Sequence, residues 1–339
     1  MLLAAVLWLR IDERGAVAAS KRFSDSNVFF ANLTELNAGN YAVWAKPWFK
    51  YRPGARAEVV AGGERFVIEI NSHGFRTREF AVPKPAGMVR IACIGSSTTV
   101  AGRTNEETYP ALLEKRLRQR YPGLPLEVLN LGVSGVTSHH WLERIDRVFA
   151  FQPDIVVQYD AINDISWWDL PRYAKAHPWR RLAASSLLFE RFFPLPAEEL
   201  RPYLQETMDT FKAIARRCRE REVAYLAGSF AGPDPRRVRG DFARHLDIST
   251  EFWGRRFPMH RYGTLAAMVA LHNRLFLEFV HREHVTNVLV HEKLGDPNLF
   301  IDTCHFTPEG ISLLADQFVP AAAGLVEGSV GYRQRQTGS

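Results

Sequence analysis

Four short segments carry side chains that could do chemistry together. The first is Gly95-Ser96-Ser97-Thr98, a row of hydroxyls directly after the apolar run VRIACIG (89–95). The second is Asn130-Leu131-Gly132-Val133-Ser134-Gly135-Val136-Thr137, after LEVLN (126–130). The third is Asp160-Ala161-Ile162-Asn163-Asp164, after DIVVQYD (154–160). The fourth, near the end of the chain, is Asp302-Thr303-Cys304-His305-Phe306-Thr307-Pro308-Glu309-Gly310. A serine hydroxyl is a poor nucleophile at neutral pH and needs an adjacent base; His305 is the candidate. The base needs a third group to fix its tautomer and stabilise its cation. Asp302, three residues before His305, can reach the imidazole from a short loop. Attack on a carbonyl creates an oxyanion, which needs preorganised donors. Gly135 can bring its backbone N–H close because no Cβ stands in the way. Asn163 offers a side-chain NH₂, and the Ser97 amide at the start of a helix would be a third donor. Ser96 and Thr98 are alternative hydroxyls, and Gly132 is an alternative to Gly135. Each residue also has a plain structural use: Ser97 as an N-cap, Gly135 as a turn glycine, Asn163 as a loop cap, Asp302 and His305 as a hydrogen-bonded pair.

Such residues must be positioned by elements, and from Val89 the chain alternates strand and helix. Strands are predicted at 89–95, 126–130, 154–160, 222–228 and 286–292. Helices are predicted at 108–121, 139–150, 198–221, 265–284 and 308–326, from apolar spacing and from stop signals such as Pro122-Gly123. Apolar strands alternating with helices argue for a parallel sheet covered on both faces. Ligands in such folds sit at the carboxyl ends of the strands. The four segments should therefore meet at one edge of one sheet. The section after residue 160 reads as irregular and rich in Trp and Pro, and 228–262 reads as a long loop of the kind that forms lids. Residues 1–88 read differently, with turn signals Arg52-Pro53-Gly54 and Ala61-Gly62-Gly63 between alternating stretches ARAEVV and RFVIEI. They are expected to be a small β-rich appendage and linker, followed by a main domain over 89–328 and a tail over 329–339.

In order and placement the four segments resemble the conserved blocks of the SGNH hydrolases, also called the GDSL lipase/esterase family, over about 89–326. The resemblance implies a flavodoxin-like three-layer α/β/α sandwich. It implies Ser97 as nucleophile, His305 and Asp302 as base and orienter, and Gly135, Asn163 and the Ser97 amide as oxyanion hole. Two positions depart from the family pattern: its Asp before the serine is Ser96 here, and the Gly of its Gly-x-Asn-Asp is Ala161. Neither removes a catalytic group. Family members are mainly esterases, lipases, thioesterases and carbohydrate deacetylases, with some acyltransferases. The expected activity is hydrolysis of an O-acyl ester, acetyl or short-chain, on a carbohydrate or lipid-like substrate through an acyl-enzyme, with no cofactor. A polysaccharide O-acyltransferase using the same residues is the close alternative, distinguished by a shielded acceptor groove. A non-catalytic carbohydrate-binding protein is the more distant one, distinguished by failure to react with a serine-directed fluorophosphonate. The N-terminal part, with NSHGFRTREF at 71–80, also resembles extensions on some bacterial members of the family. That implies an extracytoplasmic bacterial protein.

Other candidates are weaker. Trp167, Trp168 and Tyr173 follow the third strand and could stack on a sugar or line an acyl pocket, or simply cover the sheet edge. His139-His140 and His281-x-x-His284 have spacing that a metal could use, but no carboxylate or Cys set completes a site. The expectation is no metal. Cys304 reads as a packing residue, and the three cysteines, Cys93, Cys218 and Cys304, are too scattered for a disulfide framework. The 339-residue chain is 46% hydrophobic and 24% charged, ample for a large core. Its net charge of +6 comes largely from arginines on helix faces, with no nucleic-acid signature beside them, so no nucleic-acid partner is expected. The apolar opening MLLAAVLWL is too short to span a bilayer and fits either the tail of a membrane anchor or a packed helix. Composition leaves the oligomeric state open.

Overall fold

The seven residues of Val89–Gly95 are apolar except Arg90, and all seven are buried, which is what a central strand covered on both faces requires. In the computed structural model, which describes residues 51–61, 64–180, 195–253 and 261–329, this strand (β3) lies inside a five-stranded parallel sheet. The others are β4 (Leu126–Asn130), β5 (Ile155–Tyr159), β6 (Ala224–Gly228) and β7 (Thr286–Val288), in the order β4-β3-β5-β6-β7. The chain leaves β3 towards β4, then returns past β3 to β5. Right-handed crossovers therefore put the two connecting helices on opposite faces. In open parallel sheets ligands bind where the direction reverses, here at the carboxyl ends of β3 and its neighbours β4 and β5.

Ser97–Val100 forms a single helical turn, α1, directly after β3. The longer helices form two layers. On one face α2 (Tyr109–Arg120) packs with α9 (Pro308–Gly328). On the other, α5 (Arg201–Glu220) packs between α3 (Ser138–Phe149) and α7 (Tyr262–Arg282). The flavodoxin-like three-layer sandwich expected from the sequence is thus the observed fold. Its alternating elements were legible because buried strands and amphipathic helices carry different periods.

Three stretches differ from expectation. The section after Asp160 is not irregular: it forms a π-helical turn, Asp164–Asp169, running into α4 (Leu170–Ala176). The expected loop 228–262 contains α6 (Gly240–Trp253), because its prolines flank the helical stretch instead of interrupting it. The strand expected over 286–292 stops at Val288, and Val290–Lys293 forms a one-turn helix, α8. At the sheet edge β7 has β6 alone to pair with, and the apolar run turns inward instead of extending the ladder.

In the N-terminal part, β1 (Arg56–Ala61) and β2 (Glu64–Glu69) pair as an antiparallel hairpin with Arg56 opposite Glu69. Tyr51, Ile68, Ile70, Phe75 and Phe80 belong to the same apolar core as the main sheet. The linker is latched to the amino ends of β3 and β4 by the fully buried Arg90. Its guanidinium pairs with Glu127 at 2.6 Å and donates to the carbonyls of Ala81, at 2.7 Å, and Phe151. Residues 1–50 and 330–339, with the apolar opening and most of the tail, lie outside the described residues. Among the described residues no helix is long and apolar enough to cross a membrane.

Candidate active site

Gly95 ends β3 against the end of β5. A Cβ there would lie 2.5 Å from the Tyr159 carbonyl oxygen, so only glycine lets the strands close up. The chain turns at Ser96, whose backbone is still non-helical, and Ser97 is the first residue of α1. The partner segment is a tight loop. Phe300 and Phe306 bridge across it with ring centroids 4.5 Å apart, and the Ile301 amide donates to the His305 carbonyl at 2.9 Å. His245 on α6 donates from Nε2 to the Ile301 carbonyl at 2.8 Å, and Thr307 caps α9 by accepting from the Gly310 amide at 3.2 Å. A 208-residue separation in sequence is thereby closed: His305 Nε2 stands 2.8 Å from Ser97 Oγ.

Asp302 completes the line. Its carboxylate oxygens lie 2.8 and 3.0 Å from His305 Nδ1 and accept the amides of Cys304 and His305 at 2.9 and 2.8 Å. This geometry places the imidazole proton on Nδ1 and turns the Nε2 lone pair towards the serine hydroxyl. Burial by itself raises the Asp302 carboxyl. The facing His305 and the two amides outweigh it and hold the group below the usual carboxylate range. Ser97, Asp302 and His305 are 6%, 1% and 3% exposed, so the attraction acts away from bulk water. Of the three neighbouring hydroxyls, Ser97 alone meets the imidazole. Ser96 Oγ and Thr98 Oγ1 are buried with no well-formed hydrogen bond among the described residues.

The second and third segments meet the first as expected. Gly135 has φ +78°, a left-handed conformation that glycine adopts without strain. Gly132 has a different task, since a Cβ there would sit 2.9 Å from Thr99. Asn130 ties both segments together, donating to the Thr99 carbonyl at 3.1 Å and accepting from the Gly132 amide at 3.0 Å. Asn163 donates one Nδ2 proton to the Val136 carbonyl at 2.9 Å, which leaves the other for a ligand. The backbone amides of Ser97 and Gly135 have no acceptor among the described residues. Three donor groups, on the segments that follow β3, β4 and β5, thus keep a proton without an acceptor among the described residues. Behind them lie Asp160, Asp164 and Asp169, all fully buried, which the sequence reading passed over. Asp164 accepts both the amide and the hydroxyl of Ser138, at 2.9 and 2.7 Å. Burial pushes its carboxyl up to about 7 against those two donors. Asp160 is pushed well above the usual range by burial and then by Asp164, with the nearby Ser96 hydroxyl opposing part of the rise. Aspartates adjoining apolar strand ends gave no sequence signal that they would be turned inward.

Tyr173, expected as a possible substrate contact, requires a correction. It is fully buried, stacks on His177 and donates to Glu199, because α4 turns that face into the core. Trp167 and Trp168 are half-buried, and Trp168 stacks on His139 with centroids 4.2 Å apart, beside the start of α3. His139 and His140 hydrogen-bond to threonines: His139 to Thr210 at 3.1 Å and His140 to Thr137 at 2.8 Å. His281 and His284 are exposed at the end of α7. Cys304 Sγ lies 3.4 Å from His305 Nδ1, and burial followed by the Asp302 charge pushes its thiol well up, so it stays protonated. Asp302, Cys304 and His305 offer ligand atoms within 4.8 Å of one another, yet a metal there would have to displace the Asp302–His305 hydrogen bond.

No curated protein matches this chain. Solved structures do. An α/β hydrolase enzyme from the metagenome of Lake Arreo, Spain, is 21% identical with a TM-score of 0.44, covering 72% of this chain and 99% of that one. TesA is 17% identical with a TM-score of 0.44, covering 70% and 99%. A catalytic mutant of Axe2, an acetylxylan esterase from Geobacillus stearothermophilus, is 18% identical with a TM-score of 0.44, covering 69% and 93%. The model of the GDSL-like lipase/acylhydrolase family matches residues 93–312, a span that holds all four segments of the site. The chain belongs to that family of ester-hydrolysing serine enzymes.

Proposed function

We propose that this protein hydrolyses an O-acyl ester, acetyl or short-chain, on a carbohydrate or lipid-like alcohol, with Ser97 as the nucleophile. The observation that carries the reading is the unbroken line Asp302–His305–Ser97, with 2.8 Å at both hydrogen bonds. In the first step His305 Nε2 takes the Ser97 proton while Oγ bonds to the ester carbonyl carbon. Asp302 balances the imidazolium from the other ring nitrogen. The oxyanion is received by the amides of Ser97 and Gly135 and the second Nδ2 proton of Asn163. Collapse breaks the C–O bond to the alcohol, which leaves with the proton from His305. Water then repeats both steps on the acyl-Ser97 ester and releases the acid. This chemistry needs no cofactor. The half-buried Trp167 and Trp168, on the π-helical turn that follows Asn163, are the aromatic residues on which a sugar ring would stack, one face of Trp168 already lying on His139.

Hydrolysis of p-nitrophenyl acetate, butyrate and octanoate tests this reading. The wild type should favour the shorter esters and react with a fluorophosphonate, and Ser97→Ala should fall to background in both assays. Full activity in Ser97→Ala would overturn the assignment of the nucleophile. Acyl transfer to sugars without hydrolysis would mark a transferase.

A further inference from the structure

Residues 51–80 lie outside the segment matched by the family, yet two of their side chains bond to the backbone segments that carry its candidate site residues. Tyr51 is 1% exposed, and its hydroxyl accepts the backbone amide of Ser134 at 3.0 Å. Ser134 immediately precedes Gly135. Arg76 is also 1% exposed, and its Nη1 donates to the Val100 carbonyl at 2.8 Å. Val100 is the last residue of α1, the turn that carries Ser97.

Both contacts meet a need of the site. A four-residue helix has too few internal bonds to hold itself, and its last carbonyls have no helical partners. Asn130 takes the Thr99 carbonyl at 3.1 Å from within the sheet, and Arg76 takes the next one from outside it. Arg76 Nε also donates to Asn105 Oδ1 at 3.1 Å, and Asn105 Nδ2 donates to the Glu69 carbonyl of β2 at 2.7 Å. The chain leaving α1 is thus stitched to the hairpin. In the oxyanion-loop segment, Tyr51 occupies the Ser134 amide, while the next amide, that of Gly135, has no acceptor among the described residues. The two side chains are themselves fixed by the NSHGFR turn. Asn71 Oδ1 accepts the amides of His73 and Phe75 at 3.1 and 3.0 Å, and the Gly74 carbonyl accepts the Tyr51 amide at 2.8 Å.

We infer that Tyr51 and Arg76 are positioning residues: the N-terminal extension clamps the oxyanion loop through Ser134 and the nucleophile turn through Val100, and sets their separation for the acyl-transfer transition state. The inference rests on the esterase reading above. Burying a guanidinium is costly unless its protons are used; Nη1 and Nε of Arg76 are used on the nucleophile turn and its exit loop, while Nη2 is buried with no partner among the described residues.

The test is steady-state kinetics of the full chain on p-nitrophenyl acetate, well below each variant's melting temperature. Tyr51→Phe and Arg76→Ala should each lower kcat by about 10-fold with KM within about twofold, less than the roughly 10²–10³ lost with a direct oxyanion donor. Arg76→Lys should recover part of the rate, and added guanidinium should partly rescue Arg76→Ala. Folded variants with kcat within twofold of wild type would overturn the inference. So would a loss confined to melting temperature. If Arg76→Ala fails to fold, Tyr51→Phe decides alone, since it removes a single oxygen. A wild type inert to esters and to fluorophosphonate removes the esterase reading, and this inference with it. An active wild type with unaffected variants removes only this inference.

Discussion

Asp302 acts at the residue scale through one atom pair, and its removal should be read there. Asp302→Asn keeps the shape but turns an acceptor into a group that can present N–H to His305 Nδ1. The imidazole is then driven to the wrong tautomer, and kcat should fall on the order of 10⁴, measured against p-nitrophenyl acetate with the melting temperature as control. Asn163→Ala removes both the proposed oxyanion donor and the bond to Val136, and should cost about 10²–10³ in kcat with little change in KM. A drop smaller than tenfold would leave the oxyanion to the two backbone amides. Cys304 is predicted to be silent. Its thiol is buried and protonated, so Cys304→Ser should keep kcat within about threefold, and iodoacetamide should label the native chain slowly. The sequence showed which residue types were present and in which order. It left Ser96, Ser97 and Thr98 equivalent as chemistry, and a single 2.8 Å contact to His305 separates them.

The element that carries a pH dependence is the segment from the end of β5 through the π-helical turn, Asp164–Asp169. Asp164 is pushed up to about 7 and Asp160 well above its ordinary range, in both cases first by burial. An unfolded aspartate titrates near 3.9. Between about pH 4 and pH 7 the folded chain therefore holds more protons than the unfolded chain, and stability contributed by this pair is lost as pH rises. Asp302 has the opposite sign: its lowered carboxyl adds stability above about pH 4, lost on acidification. Asp160→Asn, which mimics the protonated form, should flatten the fall in melting temperature from pH 5 to pH 8 relative to wild type. Calorimetry across that range checks it, and parallel wild-type and variant curves would show that Asp160 does not titrate there. This segment was also the hardest to read from sequence. Its π turn interrupts the 3.6-residue period, and Trp168, one of the residues that suggested a loop, stacks on His139 of α3 instead.

At the scale of the whole molecule, the N-terminal extension and the sheet share one core, and the buried ion pair of Arg90 on β3 with Glu127 on β4 is tied to the linker through the Ala81 carbonyl. Arg90→Met removes the fully buried partner of Glu127 and leaves it the more exposed Arg78. The change should cost about 3–5 kcal/mol, read by urea denaturation; a loss below 1 kcal/mol would mean that water or Arg78, 3.4 Å from Glu127, takes over. Sequence alone determined the alternation of β3, α2, β4, α3 and β5, because burial on two faces and burial on one stripe write different periods into the chain. It also determined which four segments stand after strands, hence that they share one sheet edge. It could not say that α6 fills the presumed lid, that Tyr173 turns inward, or that three aspartates are buried behind the oxyanion loop. Nor could it say that Tyr51 and Arg76 grip the site. Those outcomes depend on which side chains meet across tens to hundreds of residues, and only the closed sandwich, by choosing what each face packs against, decides them.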